Sequence, residues 1–143
     1  MKERRFRKSG PTWHRDQQEL IQVVNIQKSQ WGDQFYINLG IYLKKLGTET
    51  RPTHYRCHIR FRIDFLLAKE DLPTLNCLLN FDEPIPLVAR YSELRQLIAQ
   101  SALAWLDAHT TQEALAHTLR HDSAWRPRTD VAACEHLGIP TDF

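Results

Sequence analysis

The side chains most able to recognise a partner lie inside apolar, strand-like segments of this 143-residue chain. Amides, arginines and tyrosines alternate there with Ile, Leu and Val, so one face of each strand would carry them. Arginines and amides offer planar hydrogen-bond donors to carboxylates and phosphates, and tyrosine adds rigid contact area. The candidate binding residues are Asn25, Gln27, Lys28, Tyr36, Asn38, Tyr42, His58, Arg60 and Arg62.

The contribution of the strand around residues 20–28 depends on its register. A period of two places Asn25 and Gln27 on one face and Gln22 and Lys28 on the other, and a shift of one residue exchanges the two sets. Asn25 interrupts an apolar run in mid-strand, where amides are disfavoured, and this favours a binding site. An ordinary solvated sheet face or a buried structural amide would also explain it.

Nucleophilic catalysis has no recognisable motif in the chain. Ser29 and Ser92 lack a nucleophile elbow, and there is no glycine-rich phosphate loop. Cys57 and His58 are neighbours in a predicted strand, so their side chains point to opposite faces. An enzyme would therefore need residues that only the fold brings together, with His58 as the acid or base.

Metal and cofactor binding are not expected. Glu113, His117 and His121 are spaced at i, i+4 and i+8, which could ligate zinc on one helical face, but an exposed polar face explains them equally well. The three cysteines are odd in number, show no CxxC spacing and fit free thiols in a reducing compartment.

The net charge of +2 is unevenly distributed. The first eight residues carry +4, so the remainder carries −2 and the body of the chain is not basic. We therefore expect residues 1–9 to be a solvated basic tail and residues 10–143 to form a single domain. No apolar run approaches the roughly 20 residues of a membrane span, and the basic start is not followed by a signal peptide, which predicts a soluble, cytoplasmic protein without membrane contact.

Alternating apolar residues predict about four strands, at 12–15, 19–29, 35–43 and 55–63. Short connections favour an antiparallel meander. Helices should follow from Asp71 to Leu79, from an N-cap at Ser92 to about Ala108, from a capping box at Thr110 to about Arg120, and from Asp130 to Gly138. The sequence thus predicts an α+β fold in which C-terminal helices cover the apolar face of the sheet.

Several of these segments also resemble a known family. The similarity lies in residues 6–10 (FRKSG), 13–15 (WHR), 21–29 (IQVVNIQKS), 35–43 (FYINLGIYL) and 57–60 (CHIR), and more loosely in 104–106 (AWL). They resemble the bacterial family catalogued as domain of unknown function 4304. The resemblance implies an α+β domain and no particular reaction.

Three functions from different classes remain open. The first is a protein-interaction module that uses the polar sheet face, one form of which is an immunity protein that neutralises a toxin, by analogy with other small bacterial α+β proteins. The second is binding of nucleic acid or an anionic ligand through Arg56, Arg60, Arg62 and the basic tail. The third is an enzyme that uses His58. We rank protein interaction first because catalytic motifs are missing.

Overall fold

The computed structural model describes residues 1–141 and shows an α+β fold. Within these residues, one antiparallel sheet contains five strands in chain order, namely β1 Arg7–Ser9, β2 Thr12–Asp16, β3 Leu20–Lys28, β4 Phe35–Leu43 and β5 Ile59–Arg62. The α-helices are α1 Leu72–Leu79, α2 Leu87–Ile98, α3 Ala104–Ala108, α4 Gln112–His121 and α5 Val131–Leu137. None of the helices in the described part of the chain has the length and apolarity needed to span a membrane.

One face of the sheet packs against the helices, as the alternation predicts. Leu39 and Ile41 of β4 are fully buried there, beside Leu106. A π-helical turn, Ala99–Leu103, connects α2 to α3, so residues 87–108 form one helical rod. The predicted apolar stripe of this rod, Leu94, Leu97, Ile98 and Trp105, lies against the same core.

The start of that rod differs from the prediction. The helix begins at Leu87 after Pro86, and Ser92 lies within α2 instead of capping it. The turns before the stripe were missed because Leu87, Val88 and Tyr91 are exposed and do not continue the apolar pattern. The N-cap of α4 also differs by one residue, since Thr111 accepts the N–H of Ala114.

The first nine residues contribute to the fold instead of forming a basic tail. Arg7–Ser9 is the edge strand of the sheet and pairs with β2. Phe6 is only 3% exposed within the core, Met1 packs against that core, and Arg4 forms an ion pair with Asp107. Three residues are too few to show an alternation, so the charges of this segment concealed the strand.

The last strand is shorter than predicted. Only Ile59–Arg62 belongs to β5, and His54–Arg56 forms a 3₁₀ helix. Because Cys57 precedes the strand, it does not share a face with Ile59 and Phe61. It instead packs on Gly40 of β4, on the side of the sheet away from the helices.

The face away from the helices is divided into a covered half and an open half. Residues 44–58, which we call the covering loop, enclose a small second cluster of Ile21, Val23, Tyr42 and Cys57. The hydroxyl oxygen of Tyr42 fixes this loop by accepting the backbone N–H of Glu49 at 3.0 Å. Residues 1–141 provide no such cover for the other half.

Gly40 is the position at which the covering loop approaches the sheet most closely. A Cβ on Gly40 would lie 2.7 Å from the Cys57 sulfur and 2.9 Å from its Cβ, and both residues are buried. We expect Gly40→Ala to lower the free energy of unfolding, measured by urea denaturation, by about 1–3 kcal/mol. The same Gly40→Ala change should cost less when it is made in a Cys57→Gly protein, because the clashing side chain is then absent. A Gly40→Ala protein as stable as the wild type would contradict this placement of the loop.

Candidate functional site

Five of the nine predicted binding residues meet on the uncovered half of the sheet. Asn25 of β3 lies opposite Asn38 of β4, Gln27 lies opposite Tyr36, and Arg62 of β5 lies opposite Asn38. The antiparallel register therefore sets them side by side on one face. Together with Thr12 of β2, which lies opposite Asn25, they form what we call the open polar face.

Hydrogen bonds connect these side chains across four strands. Asn38 Nδ2 donates to Asn25 Oδ1 at 3.1 Å and to Gln27 Oε1 at 3.0 Å. Asn25 Nδ2 in turn donates to Thr12 Oγ1 at 3.0 Å. Asn38 is only 4% exposed, so it forms the fixed centre of the network while its neighbours reach the solvent. The amides in mid-strand thus have partners, which stabilise them in the sheet.

Arg62 projects from this network with part of its guanidinium free. Its Nε–H donates to Asn38 Oδ1 at 3.4 Å, and its Cζ lies 4.1 Å from the centre of the Tyr36 ring. Within residues 1–141 its two Nη atoms have no hydrogen-bond or ion-pair partner. An arginine that is held at Nε and stacked on a ring presents its two Nη groups as a pair of donors suited to a carboxylate. Because the fold already orders this side chain, it loses less conformational entropy on binding.

Tyr42 and His58 lie on the same side but not at this open surface. Tyr42 is 3% exposed under the covering loop, and its ring centre lies 4.7 Å from that of His58. Nδ1 of His58 accepts the backbone N–H of Leu43 at 2.9 Å, and burial lowers the pKa of His58. The Nδ1 atom of His58 is therefore engaged as a hydrogen-bond acceptor within the fold.

Arg60 is also on this side, but it connects two parts of the fold. It forms an ion pair with Asp130 at 2.9 Å, and it donates to the carbonyl oxygen of Tyr55 at 3.0 Å. Asp130 is the residue that precedes α5. Arg60 thus connects the covering loop and the residue before the last helix to the sheet, and replacing it would remove contacts that support the fold.

Lys28 lies on the opposite face of the sheet from Asn25 and Gln27, because successive strand residues alternate. Its ammonium forms an ion pair with Asp33 at 3.3 Å. Gln22, the alternative from the shifted register, is buried among the helices. Its amide donates to the carbonyl oxygens of Leu106 and His109 at 2.7 and 3.0 Å, which satisfies the end of α3.

The nucleophile and metal candidates do not form a reactive group. Burial raises the pKa of Cys57 to about 12, so its thiol stays protonated at neutral pH. The rings of His117 and His121 stack at 4.2 Å, and His121 Nδ1–H donates to the His117 carbonyl. Among residues 1–141, no cluster of three or more histidine, cysteine or acidic residues is arranged to hold a metal ion.

Sequence reasoning missed Thr12 of the open polar face and two exposed aromatic residues in the loops. Trp31 is 89% exposed in the loop that joins β3 to β4, a few residues beyond Gln27. Tyr55 is 70% exposed in the covering loop, and its carbonyl is held by Arg60. The signal for Trp31 was present, because a tryptophan in a polar turn has no core to fill.

Comparisons with known proteins agree with the resemblance found in the sequence. The family model described as domain of unknown function (DUF4304) matches residues 1–108, which include the whole sheet and the helical rod. No curated protein and no solved structure matches the chain.

Proposed function

The chain belongs to the family described as domain of unknown function (DUF4304), and from that premise we propose that it is a protein-binding module. Its open polar face receives an acidic side chain of the partner. The observation that carries this proposal is the free guanidinium edge of Arg62, oriented by Asn38 and Tyr36. A preorganised arginine stacked on a tyrosine ring is typical of the few positions that dominate binding energy at protein interfaces.

Charge favours a protein partner over nucleic acid. Arg60, one of the arginines expected to contact phosphates, is already paired with Asp130. Lys28 is likewise paired with Asp33. The open polar face itself carries a single cation, Arg62, amid amides. One oriented cation suits one carboxylate, whereas a nucleic acid backbone requires a row of them.

The cysteines bear on the cellular compartment of the protein. Cys57, Cys77 and Cys134 are all free thiols. Thiols persist in the reducing cytoplasm, whereas extracellular domains of this size more often use disulfides. We therefore propose a cytoplasmic partner.

Arg62→Gln is the test variant. The variant lacks the two charge-assisted hydrogen bonds from Arg62 to the partner's carboxylate, so its binding should be weaker by about tenfold or more. Its stability should change by less than about 1 kcal/mol, because the side chain is exposed and its bond to Asn38 is long. Arg56→Gln is the matched control, because Arg56 is an exposed arginine of the covering loop that lies outside the open polar face.

The measurement is affinity capture by the three immobilised proteins from cells that produce the chain, with quantitative mass spectrometry. We expect a protein that wild type and Arg56→Gln enrich equally and that Arg62→Gln largely loses. Calorimetry with the purified partner then gives the three dissociation constants. Identical recovery by wild type and Arg62→Gln would argue against the open polar face as the binding surface.

A further inference from the structure

A second cationic site lies at the corner where the covering loop meets β1 and β2, on the face of the sheet away from the helices. A cavity of about 350 Å³ opens there. Its polar lining comes from Arg5, Arg7, His14, Asp16, Thr50 and Arg51. We call this cavity the arginine pocket. It shares no residue with the open polar face.

The arginine pocket carries uncompensated positive charge. Within the described residues, the guanidinium groups of Arg5, Arg7 and Arg51 form no hydrogen bond or ion pair. The acidic side chain of the lining, Asp16, is engaged by the ammonium of Lys44. Three free arginines thus face one cavity with no unpaired carboxylate among the lining residues. Like charges gathered in this way repel one another, and a bound anion would relieve that repulsion.

The walls of the pocket are held in place by the backbone. His14 Nε2–H donates to the carbonyl oxygen of Pro52 at 2.7 Å, which joins β2 to the covering loop. Pro52 is buried and follows Arg51 directly, so its fixed φ restrains the chain that carries this arginine. Arg7 lies opposite His14 in the sheet. Two of the arginines therefore extend from anchored backbone, which lowers the entropy lost on binding.

Arg5 supports the pocket from a backbone conformation that favours glycine. Its φ is 67°, and it is the one non-glycine residue with positive φ among residues 1–141. This conformation crowds the Cβ and costs roughly 1–2 kcal/mol in an L-residue. The fold thus keeps an arginine where glycine would be easier to accommodate, beside two further arginines. Replacement of Arg5 by glycine would therefore remove the charge and relieve the crowding at once.

We propose that the arginine pocket binds a compact ligand that carries phosphate groups. Guanidinium forks match the oxygen geometry of phosphate, and three of them suit an anion with several negative charges. The lining holds no Phe, Tyr or Trp on which a nucleobase could stack. A small di- or polyphosphate fits these features better than an extended nucleic acid.

Titration calorimetry with inorganic pyrophosphate tests the proposal. Wild type should bind it saturably with one-to-one stoichiometry, and Arg7→Gln and Arg51→Gln should each bind about tenfold or more weakly. Arg5→Gly should fold at least as stably as wild type, because glycine adopts positive φ freely, and yet bind pyrophosphate more weakly. That combination separates a binding role from a structural one.

Three controls make the outcome decisive. Arg56→Gln removes an exposed arginine of the same loop outside the pocket and should change affinity by less than about twofold, since salt screens distant charges. Arg62→Gln should likewise bind pyrophosphate as wild type does, because the two sites are separate. Citrate supplies a compact carboxylate anion and should bind more weakly. Absence of saturable binding by wild type, tighter binding of citrate, or equal losses in Arg56→Gln and Arg7→Gln would each overturn the proposal.

Discussion

Replacing Arg90 by methionine is expected to lower the free energy of unfolding by about 3 kcal/mol or more. Arg90 belongs to α2, is 1% exposed and stacks over Phe81 with its Cζ 4.4 Å from the ring centre. Its guanidinium donates to four carbonyl oxygens, those of Cys77, Leu78, Asn80 and Glu83. These groups lie at the end of α1 and in the turn after it. The carbonyls of Cys77, Asn80 and Glu83 also accept one backbone N–H each, whereas the buried carbonyl of Leu78 depends on Arg90.

Methionine retains much of the apolar stem of Arg90 and removes every donor. The buried carbonyl of Leu78 then loses its partner, and the other three carbonyls each lose one of two donors. Arg90→Lys retains the charge but cannot reproduce the fork, and its loss should be intermediate. Urea denaturation of the wild type, Arg90→Lys and Arg90→Met proteins measures the three unfolding free energies. The prediction fails if Arg90→Met lies within about 1 kcal/mol of wild type, because the carbonyls would then have found water.

Replacing Trp125 by alanine is expected to cost about 3–5 kcal/mol. Trp125 is 4% exposed in the 3₁₀ helix Ser123–Arg128. Its ring centre lies 4.8 Å from Phe61 of β5, 4.7 Å from Phe65 and 5.1 Å from Trp105 of α3. The indole of Trp125 thus packs against both the sheet and the helical rod, and alanine would leave a large cavity among the rings.

Trp31→Ala provides the matched control for this loss. The same atoms are removed from a side chain that is 89% exposed, so its unfolding free energy should change by less than about 0.5 kcal/mol. Trp105→Ala should fall between the two, because Trp105 is only half-buried. Equal stability losses in Trp125→Ala and Trp31→Ala would show that the aromatic cluster does not support the fold.

The sequence predicted the elements whose periodicity is long enough to read. The alternation of the nine-residue strand β4 correctly put Asn38 on the face opposite the helices, and its pairing with β5 puts Arg62 on the same face. The alternation of β3 left the face of Asn25 open, and the pairing of Asn25 with Asn38 decides it. The stripe from Leu94 to Trp105 likewise identified the helix that covers the sheet. In these segments burial repeats with the period of the backbone, so composition and structure agree.

The features that escaped prediction are short or depend on distant partners. Trp125 lies in a short 3₁₀ helix, where no period can be recognised. Arg90 looks like a solvated helix residue until the end of α1 is placed beside it. Tyr42 and His58 were predicted as surface residues because a strand pattern cannot show that a later loop covers half of one face.

The same limit applies to the candidate site. Alternation put Asn38, Arg60 and Arg62 on one face of the sheet. It could not show that Arg60 is paired with Asp130, whereas within residues 1–141 the Nη atoms of Arg62 have no partner. Both arginines occupy equivalent positions in the sequence pattern. The difference arises from α5, whose preceding residue reaches Arg60 across 70 residues of chain. Only the tertiary structure distinguishes the two arginines.

The most direct test of the protein-binding account is nuclear magnetic resonance of the isotope-labelled chain, titrated with the partner isolated by capture. We predict that the side-chain signals of Asn25, Asn38 and Arg62 shift, with the Arg62 Nε–H among the largest changes. Signals of Arg90 and Trp125, on the helical side, should stay in place. Shifts confined to the helical side, with the Arg62 Nε–H unchanged at saturation, would contradict the account.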